Sequence, residues 1–250
     1  ASLCGIVAAM LMKNMSVNFI VSIIAAILVG TLCGALNGIL SNKLKIHTMI
    51  VTLATMTLFQ GLSYIISQSK SFSSLPAAFK FIGQGYLGNL PVSIFALIAI
   101  VAVVSFILNK THYGRYVYAI GGNPDAAHLA GINVERVRLR TFALNGALVG
   151  LAAVLLISRS GSASSAMGTS LQFDSITACI LGGVSFTGGS GKVSNAVLGV
   201  LCLGVLSNGM QLIGWGIYVQ YVVKAILLVI AIAFDMYTKN KVLADDAANG

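Results

Sequence analysis

Long apolar stretches recur along the whole chain and decide what it can fold into. A helix needs about 20 predominantly apolar residues to cross a bilayer, and most of these stretches approach or exceed that length. Only 8% of the 250 residues are charged, whereas a soluble domain carries roughly 25%. The sequence therefore predicts an all-α, polytopic transmembrane helical bundle of about seven to eight spans or part-spans. The candidate spans are residues 17–40, 46–67, 91–108, 141–157, 175–186, 193–213 and 216–234.

Two apolar stretches are too short for a full crossing. Residues 175–186 contain the pair Gly182–Gly183, which predicts a broken or re-entrant helix, a form tolerated only where it is buried in protein or lines a cavity. Residues 1–12 stop before Lys13, so we interpret them as the tail of a helix whose start is missing. The predicted organisation is an N-terminally incomplete transmembrane domain at 1–237 and a polar C-terminal tail at 238–250.

The basic residues predict the orientation of the bundle, because connections rich in Lys and Arg stay on the cytoplasmic side. If segment 109–140 is cytoplasmic, alternation of the spans puts 41–45, 187–192 and 238–250 on the same side. The net charge of +9 then reflects positive-inside topology, and no nucleic-acid partner is expected, because aromatic and basic residues are not interleaved as in a single-strand groove. The cytoplasmic side carries Lys43, Lys45, Lys110, Arg115, Arg136, Arg138, Arg140, Lys192, Lys239 and Lys241, and the other side carries Lys13, Lys70, Lys80 and Arg159.

Segment 109–140 is the longest polar interruption in the sequence, and a miniature helix with both ends specified lies inside it. Asn123 is a favourable N-cap, and Pro124 suits the first helical position. Asp125 suits the positive end of the helix dipole, and Gly131 can take the left-handed conformation that often follows a helix. A capped helix outside the bilayer is interpreted as a docking element for another protein. The residues that we expect it to expose are Ala126, Ala127, Leu129 and Ala130.

Three separated strings carry a resemblance to a known family. They are GRYVYAIGGNPDAAHLAGINVERVRLRTFALNG (114–146), LQFDSITACILGGVSFTGGSG (171–191) and IHTMIVTLATM (46–56). They are similar to the cytoplasmic coupling loop, the end of the translocating half and an early helix start (PFIVTLGTM) of bacterial ABC-importer permeases of the ribose and monosaccharide type. The third string lacks the Pro and Phe of that pattern, and Ala54 replaces its Gly. The resemblance assigns ATPase coupling to Gly114, Arg115, Asn123, Pro124, Asp125, Ala126, Ala127, Leu129 and Gly131.

The resemblance implies a permease subunit in the bacterial inner membrane that performs no bond chemistry itself. The implied partners, besides membrane lipid, are cytoplasmic ATPase subunits that bind ATP and Mg²⁺, a second permease subunit, identical or different, and a periplasmic or lipid-anchored substrate-binding protein. The implied solute is a monosaccharide, either a ribose-like pentose or a hexose. Relatives within the family carry branched-chain amino acids, nucleosides or signalling furanoses, and these remain alternatives.

The predicted span at residues 46–67 carries a stripe of hydroxyl groups on one face. At 100° per residue its members fall within roughly a 120° arc, as a hydrophilic path for a polyhydroxylated solute would require. The same hydroxyls can instead bond to the carbonyls of their own helix, and both interpretations stay open. The candidate path residues are Asn37, Thr48, Thr52, Thr55, Ser63 and Asn145, with Ser67 completing the stripe. The two Asn residues are also typical of helix–helix contacts.

Glycines predict close approach between helices. Small residues at four-residue spacing let helix backbones pack tightly, so we expect such packing inside one permease, with a sliding surface for alternating access as the alternative. The residues with this role are Gly30, Gly34, Gly38, Gly182 and Gly183, with Ala26 extending the ladder and Gly146 and Gly150 repeating its spacing. The run at 188–192, GGSGK, is not a phosphate loop, because Phe186 and Val193 break that pattern. We interpret it as a cytoplasmic turn between helices.

Ionisable side chains are scarce in the spans. The six Asp and Glu residues form no carboxylate pair or nucleophile–base arrangement, so no catalysis is predicted. The Cys and His residues show no metal-ligand spacing, so neither a metal nor a cofactor is predicted in this chain. Lys224 lies inside a span and is interpreted as reaching the outer end past Tyr218 and Tyr221, with a functional role as the alternative. An ion-coupled secondary transporter therefore ranks below the ABC permease, as does a non-transporting membrane anchor.

Overall fold

Helices account for most of the fold. The structure, a computed structural model, describes residues 1–14, 17–44, 47–73 and 75–249. Its helices are α1 (Ser2–Asn14), α2 (Phe19–Leu44), α3 (Thr48–Ser67), α4 (Ala77–Gln84), α5 (Val92–Lys110), α6 (His112–Gly122), α7 (Pro124–Leu129), α8 (Val134–Ser160), α9 (Leu171–Leu181), α10 (Val193–Leu212) and α11 (Ile217–Asn249). Its strands are β1 (Phe72–Ser73), β2 (Tyr86–Leu87), β3 (Leu90–Pro91) and β4 (Ser162–Ala163), which pair antiparallel as β1 with β4 and β2 with β3.

Six helices in the described part of the chain are long and apolar enough to cross a membrane. They are α2, α3, α5, α8, α10 and the Ile217–Thr238 part of α11. Two shorter apolar helices, α1 and α9, add part-spans. The prediction of an all-helical, polytopic membrane protein is therefore confirmed.

Helix α8 begins earlier than the sequence predicted and includes the end of the polar segment 109–140. We expected a span beginning at residue 141, but α8 begins at Val134. The side chain of Asn133 accepts a hydrogen bond from the Arg136 backbone N–H at 3.0 Å, which caps the helix at this earlier position. The basic residues that follow are exposed or half-buried on the first two turns of α8 instead of lying in a loop.

The chain divides into two compact units, and unit 1 comprises Ala1–Ala102 and Asn133–Thr169. The core of unit 1 forms around α1, whose Ile6, Ala8 and Ala9 are fully buried. Phe79 of α4 and Ile157 of α8 belong to the same apolar cluster. A short helix buried on several sides is stabilised by packing rather than by its own propensity.

Within unit 1, α2 and α8 pack antiparallel with their backbones in close approach. A Cβ added at Gly34 would meet the carbonyl oxygen of Phe142, and one added at Gly30 would meet that of Gly146. A Cβ at Gly38 would lie 3.0 Å from the Cα of Leu139. The structure thus places the glycine ladder at an intramolecular helix contact, the arrangement that small residues permit in membranes.

Contacts between connections agree with the predicted alternation of spans in unit 1. At one end of the α2–α8 pair, the Asn42 side-chain amide donates to the Glu135 carbonyl oxygen at 2.9 Å. At the other end, Phe72 pairs with Ala163 and Ser73 with Ser162. The end of α2 and the start of α8 therefore share one side, whereas strands β1 and β4, which follow α3 and α8, share the other.

Unit 2 comprises Val103–Ile132 and Ser170–Gly250. Its helix α9 has only 11 residues and begins at Leu171, four residues before the predicted span. It ends at the glycine pair: Gly183 has φ +79°, and the N–H groups of Gly183 and Val184 donate to the carbonyls of Ile180 and Cys179. This is the Schellman termination that a left-handed glycine permits.

Close backbone packing also joins α9 to α10 in unit 2. A Cβ at Gly182 would meet the Asn195 carbonyl oxygen, and a Cβ at Gly199 would meet that of Ala178. A Cβ at Gly183 would meet no heavy atom within 4 Å. Of the predicted pair, Gly182 therefore lies at the helix contact, whereas Gly183 supplies the backbone conformation that ends α9.

Candidate functional site

The N-terminus of α7 is capped by the residue that the sequence indicates. The Asn123 Oδ1 accepts hydrogen bonds from the backbone N–H groups of Asp125 and Ala126, both at 3.0 Å. Pro124 occupies the first helical position, where its missing N–H leaves no intrahelical bond unmade. Asp125 lies in the first turn, beside the positive end of the helix dipole.

The C-terminus of α7 closes in a Schellman motif. Gly131 has φ +83°, its N–H donates to the His128 carbonyl at 2.9 Å, and the N–H of Ile132 donates to the Ala127 carbonyl at 3.1 Å. A side chain at Gly131 would be strained in this conformation. Capping at both ends holds six residues in a helix that is too short to persist on its own propensity.

The exposed face of α7 differs from the predicted one at a single position. Ala126, Leu129 and Ala130 are exposed, and Leu129 retains 87% of its accessible surface. Ala127 is instead 5% exposed, so the expectation that it would be presented to a partner is wrong. Helical geometry places residues 126 and 127 on different sides of the helix, and the side with Ala127 packs inward.

Gly114 and Arg115 lie on α6 and not on the capped helix. Gly114 is buried at the corner between α5 and α6, where a Cβ would meet the carbonyl oxygen of Leu108. Arg115 is exposed, and its guanidinium donates to the Nδ1 of His112 at 2.7 Å. Gly114 therefore permits the close turn between α5 and α6, whereas the Arg115 side chain lies at the surface, where a partner could contact it.

The hydroxyl stripe of α3 faces the interior of unit 1. Thr55 and Ser63 are buried, and Thr48 and Thr52 are half-buried. Thr52 and Thr55 donate to carbonyls of their own helix, as neutral hydroxyls commonly do in membrane helices. Thr48 instead pairs with the hydroxyl of Ser41 at 2.7 Å.

Two polar atoms of the predicted path are buried without a hydrogen-bond partner among the described residues. They are the Ser63 Oγ on α3 and the Asn37 Oδ1 on α2. Most buried polar atoms in proteins are paired, so these atoms retain unused hydrogen-bonding capacity. Asn145 on α8 is exposed, which leaves it available for contact outside unit 1's own core.

The sequence did not predict a polar cluster between the second half of α3 and the connection after α8. Gln60 donates from its amide to the Ser165 carbonyl oxygen and accepts from the Ser2 hydroxyl at 3.1 Å. The Ser67 and Ser165 hydroxyls lie 2.6 Å apart. Ser165 comes from the connection after α8, so sequence spacing along α3 held no signal for this contact.

Lys224 has a partner that the sequence analysis missed. Its Nζ lies 3.0 Å from the Oδ1 of Asp174 on α9, with the two side chains 19% and 30% exposed. The sequence analysis had Lys224 reaching past Tyr218 and Tyr221 to the outer end, and it did not foresee a carboxylate partner. Pairing within the protein replaces the water that snorkelling would have provided. The predicted span began one residue after Asp174, which hid the pair.

The long apolar helices define a class, that of multi-pass membrane proteins. Comparison with known proteins gives the family. Residues 1–232 match the model described as branched-chain amino acid transport system / permease component, and the chain belongs to this family. No solved structure matches it.

Several curated relatives are sugar permeases by name. The L-arabinose transport system permease protein AraH of Escherichia coli (strain K12) is 40% identical over 195 residues, covering 78% of this chain and 60% of AraH. The ribose import permease protein RbsC of Bacillus subtilis (strain 168) is 39% identical over 77% of this chain and 61% of RbsC. The xylose transport system permease protein XylH of Haemophilus influenzae is 44% identical over 60% of this chain and 40% of XylH. The chain thus spans about three fifths of the length of AraH and RbsC.

Proposed function

We propose that this chain belongs to the membrane-spanning permease subunit of an ATP-driven importer for a neutral monosaccharide. The observation that carries the proposal is the similarity to permeases named for L-arabinose, ribose and xylose. All three solutes are pentoses, so a pentose is the favoured solute and a hexose is the next candidate. Branched-chain amino acids, nucleosides and signalling furanoses are outcomes that the experiment below distinguishes.

The chemistry of the spans supports a neutral solute. The buried polar side chains of α3 are the hydroxyls of Thr55, Ser63 and Ser67. The buried side-chain atoms without a hydrogen-bond partner among the described residues are the Ser63 Oγ and the Asn37 Oδ1. A sugar needs only hydrogen bonds from such groups. The Lys224 charge is already balanced by Asp174, so a charged solute would lack a counter-charge in a low-dielectric route, at a large cost in free energy.

The capped helix α7 is the proposed docking element for a cytoplasmic ATPase. Its exposed Ala126 and Leu129 offer a small apolar surface, and its two caps hold that surface in one conformation. In this proposal the ATPase subunits bind ATP and Mg²⁺, a second permease subunit completes the pore, and a substrate-binding protein delivers the sugar at the opposite side. The orientation follows from the basic residues around α6 and at the start of α8.

Uptake by vesicles containing the assembled transporter tests the function. We expect ATP-dependent accumulation of one of ribose, arabinose, xylose or glucose, with no accumulation of leucine or a nucleoside. A proton or sodium gradient without ATP should drive none. Uptake of leucine with no response to any sugar would refute the solute class, and gradient-driven uptake without ATP would refute the ABC mechanism.

Replacing Leu129 by Asp tests docking without disturbing the core, because the side chain is exposed. A charge buried in an ATPase groove without a partner costs several kcal/mol, so we expect at least about a tenfold loss of ATPase co-purification. Uptake should fall with it, while the amount of permease in the membrane stays the same. Leu129→Met is the control, since it keeps an apolar side chain of similar size.

Normal sugar-stimulated ATP hydrolysis by Leu129→Asp would contradict the assignment of α7 as the docking element. Ala127→Asp would not be informative, because Ala127 is buried.

A further inference from the structure

Helices α6 and α7 are joined without a linker. Asn123 ends α6, its backbone N–H donating to the Ala119 carbonyl at 3.1 Å, and the same residue caps the N-terminus of α7. Because one residue serves both helices, no flexible segment separates them. A displacement of α7 is therefore passed to α6 directly.

The last turns of α6 rest on the glycine turn at residues 188–191, which connects α9 to α10. The Tyr118 hydroxyl donates to the Gly191 carbonyl oxygen at 2.9 Å. A Cβ added at Gly121 would lie 2.5 Å from the backbone nitrogen of Gly189 and 3.0 Å from its Cα. The two backbones are thus in direct contact, with no side chain between them to absorb a movement. We name this contact, formed by Tyr118, Gly121 and residues 188–191, the α6 seat.

The turn in the α6 seat has a fixed shape. Gly188, Gly189 and Gly191 have φ values of +92°, +79° and +140°, which other residues rarely adopt. The turn is closed on itself, because the Ser185 N–H donates to the Ser190 carbonyl at 3.1 Å and the Gly188 N–H donates to the Ser185 carbonyl at 3.2 Å. This geometry accounts for the GGSG sequence without a phosphate ligand.

The elements beyond the turn are held together as one assembly. On the α9 side, the Phe186 N–H donates to the Asp235 carboxylate of α11 at 3.1 Å. Farther along α9, Asp174 pairs with Lys224 of α11. On the α10 side, Gly199 packs against the backbone of α9. Because of these contacts, we expect a displacement of the turn to move α9, α10 and α11 together.

We propose that the α6 seat transmits the movement of the docking helix α7 to the α9–α10 pair, with Tyr118 and Gly121 acting as positioning residues. This inference rests on the proposed function, because it takes α7 as the ATPase contact. It adds the route inside unit 2 by which ATP-driven movement reaches the membrane helices. The seat itself contacts neither the ATPase nor the sugar in this scheme.

Gly121→Ala and Gly122→Ala form a matched pair for the test. Both positions lie in the last turn of α6, so Ala changes helix propensity equally. A Cβ at Gly121 would collide with the turn, whereas a Cβ at Gly122 would meet no heavy atom within 4 Å. The measurements are ATPase co-purification, ATP hydrolysis and sugar uptake, all in the assembled transporter in vesicles. Tyr118→Phe is the second variant, because it removes the hydrogen bond to the turn and keeps the ring.

We expect Gly121→Ala to bind the ATPase as the parent does, and to hydrolyse at least about tenfold more ATP for each sugar transported. Tyr118→Phe should raise the amount of ATP hydrolysed for each sugar about threefold, in keeping with the loss of one hydrogen bond. If Gly121→Ala does not fold, the result for Tyr118→Phe decides whether the α6 seat couples the two movements. Gly122→Ala should match the parent. The proposal is overturned if both Gly121→Ala and Tyr118→Phe couple as the parent does. It is also overturned if Gly122→Ala uncouples as much as Gly121→Ala, or if Gly121→Ala no longer binds the ATPase. Absence of ATP-driven uptake in the parent would instead refute the proposed function.

Discussion

Replacing Gly34 by Ala is expected to destabilise unit 1 strongly, although Ala is the better helix former. In a helix interior the change from Gly to Ala is favourable by about 1 kcal/mol. Here the added Cβ would meet the Phe142 carbonyl oxygen and would lie 3.1 Å from the Cα of Gly146. Overpacking typically costs about 1–3 kcal/mol, and backbone cannot move aside as a side chain can. We take the upper end of that range because the obstruction is backbone, so after the helix-propensity gain the free energy of unfolding should fall by about 2 kcal/mol, as measured by denaturant titration in detergent.

Gly61→Ala is the control for this prediction. Gly61 lies on α3 in the same unit, and a Cβ there would meet no heavy atom within 4 Å. The stability of Gly61→Ala should stay the same or rise slightly, whereas that of Gly34→Ala should fall. Equal losses in both would mean that the α2–α8 contact is not the cause.

Replacing Lys224 by Leu is expected to destabilise unit 2, because it leaves the Asp174 carboxylate without its partner. Removing one member of a buried ion pair costs roughly 3–5 kcal/mol, and we expect the lower end of that range because both side chains retain some exposure. Thermal unfolding in detergent and the folded yield from membranes should both report the loss.

The double variant Asp174→Leu/Lys224→Leu distinguishes a lost partner from a lost side chain. Replacing a whole ion pair by apolar residues is often neutral or stabilising, so the double variant should regain most of the stability that Lys224→Leu loses. Lys224→Arg should keep the pair and remain close to the parent. If Lys224→Leu is as stable as the parent, the pair contributes nothing measurable to the fold.

The features that the sequence predicted well are those encoded locally. The apolar stretches predict the crossing helices because length and hydropathy suffice for them. Helix α7 was predicted because Asn123, Pro124 and Gly131 lie within nine residues of one another and each acts on the backbone next to it. The glycine turn at 188–191 was recognised as a turn by the same local logic.

The features that the sequence left out depend on contacts across the fold. Helix α6 carries no long apolar run, and its N-cap is Thr111, whose hydroxyl accepts from the Gly114 N–H. Ala127 is buried, which the spacing of its neighbours does not reveal. The partners of Lys224 and Gln60 are Asp174 and Ser165, more than 40 residues away in each case.

The pairing of Lys224 with Asp174 also has an electrical consequence. Moving one elementary charge across the full potential of a membrane changes its free energy by about 2.3 kcal/mol per 100 mV. An ammonium and a carboxylate 3.0 Å apart that move together carry no net charge through the field, so the work done on them nearly cancels. A movement of α9 and α11 that keeps this pair together is therefore neither opposed nor driven by the voltage acting on these two charges.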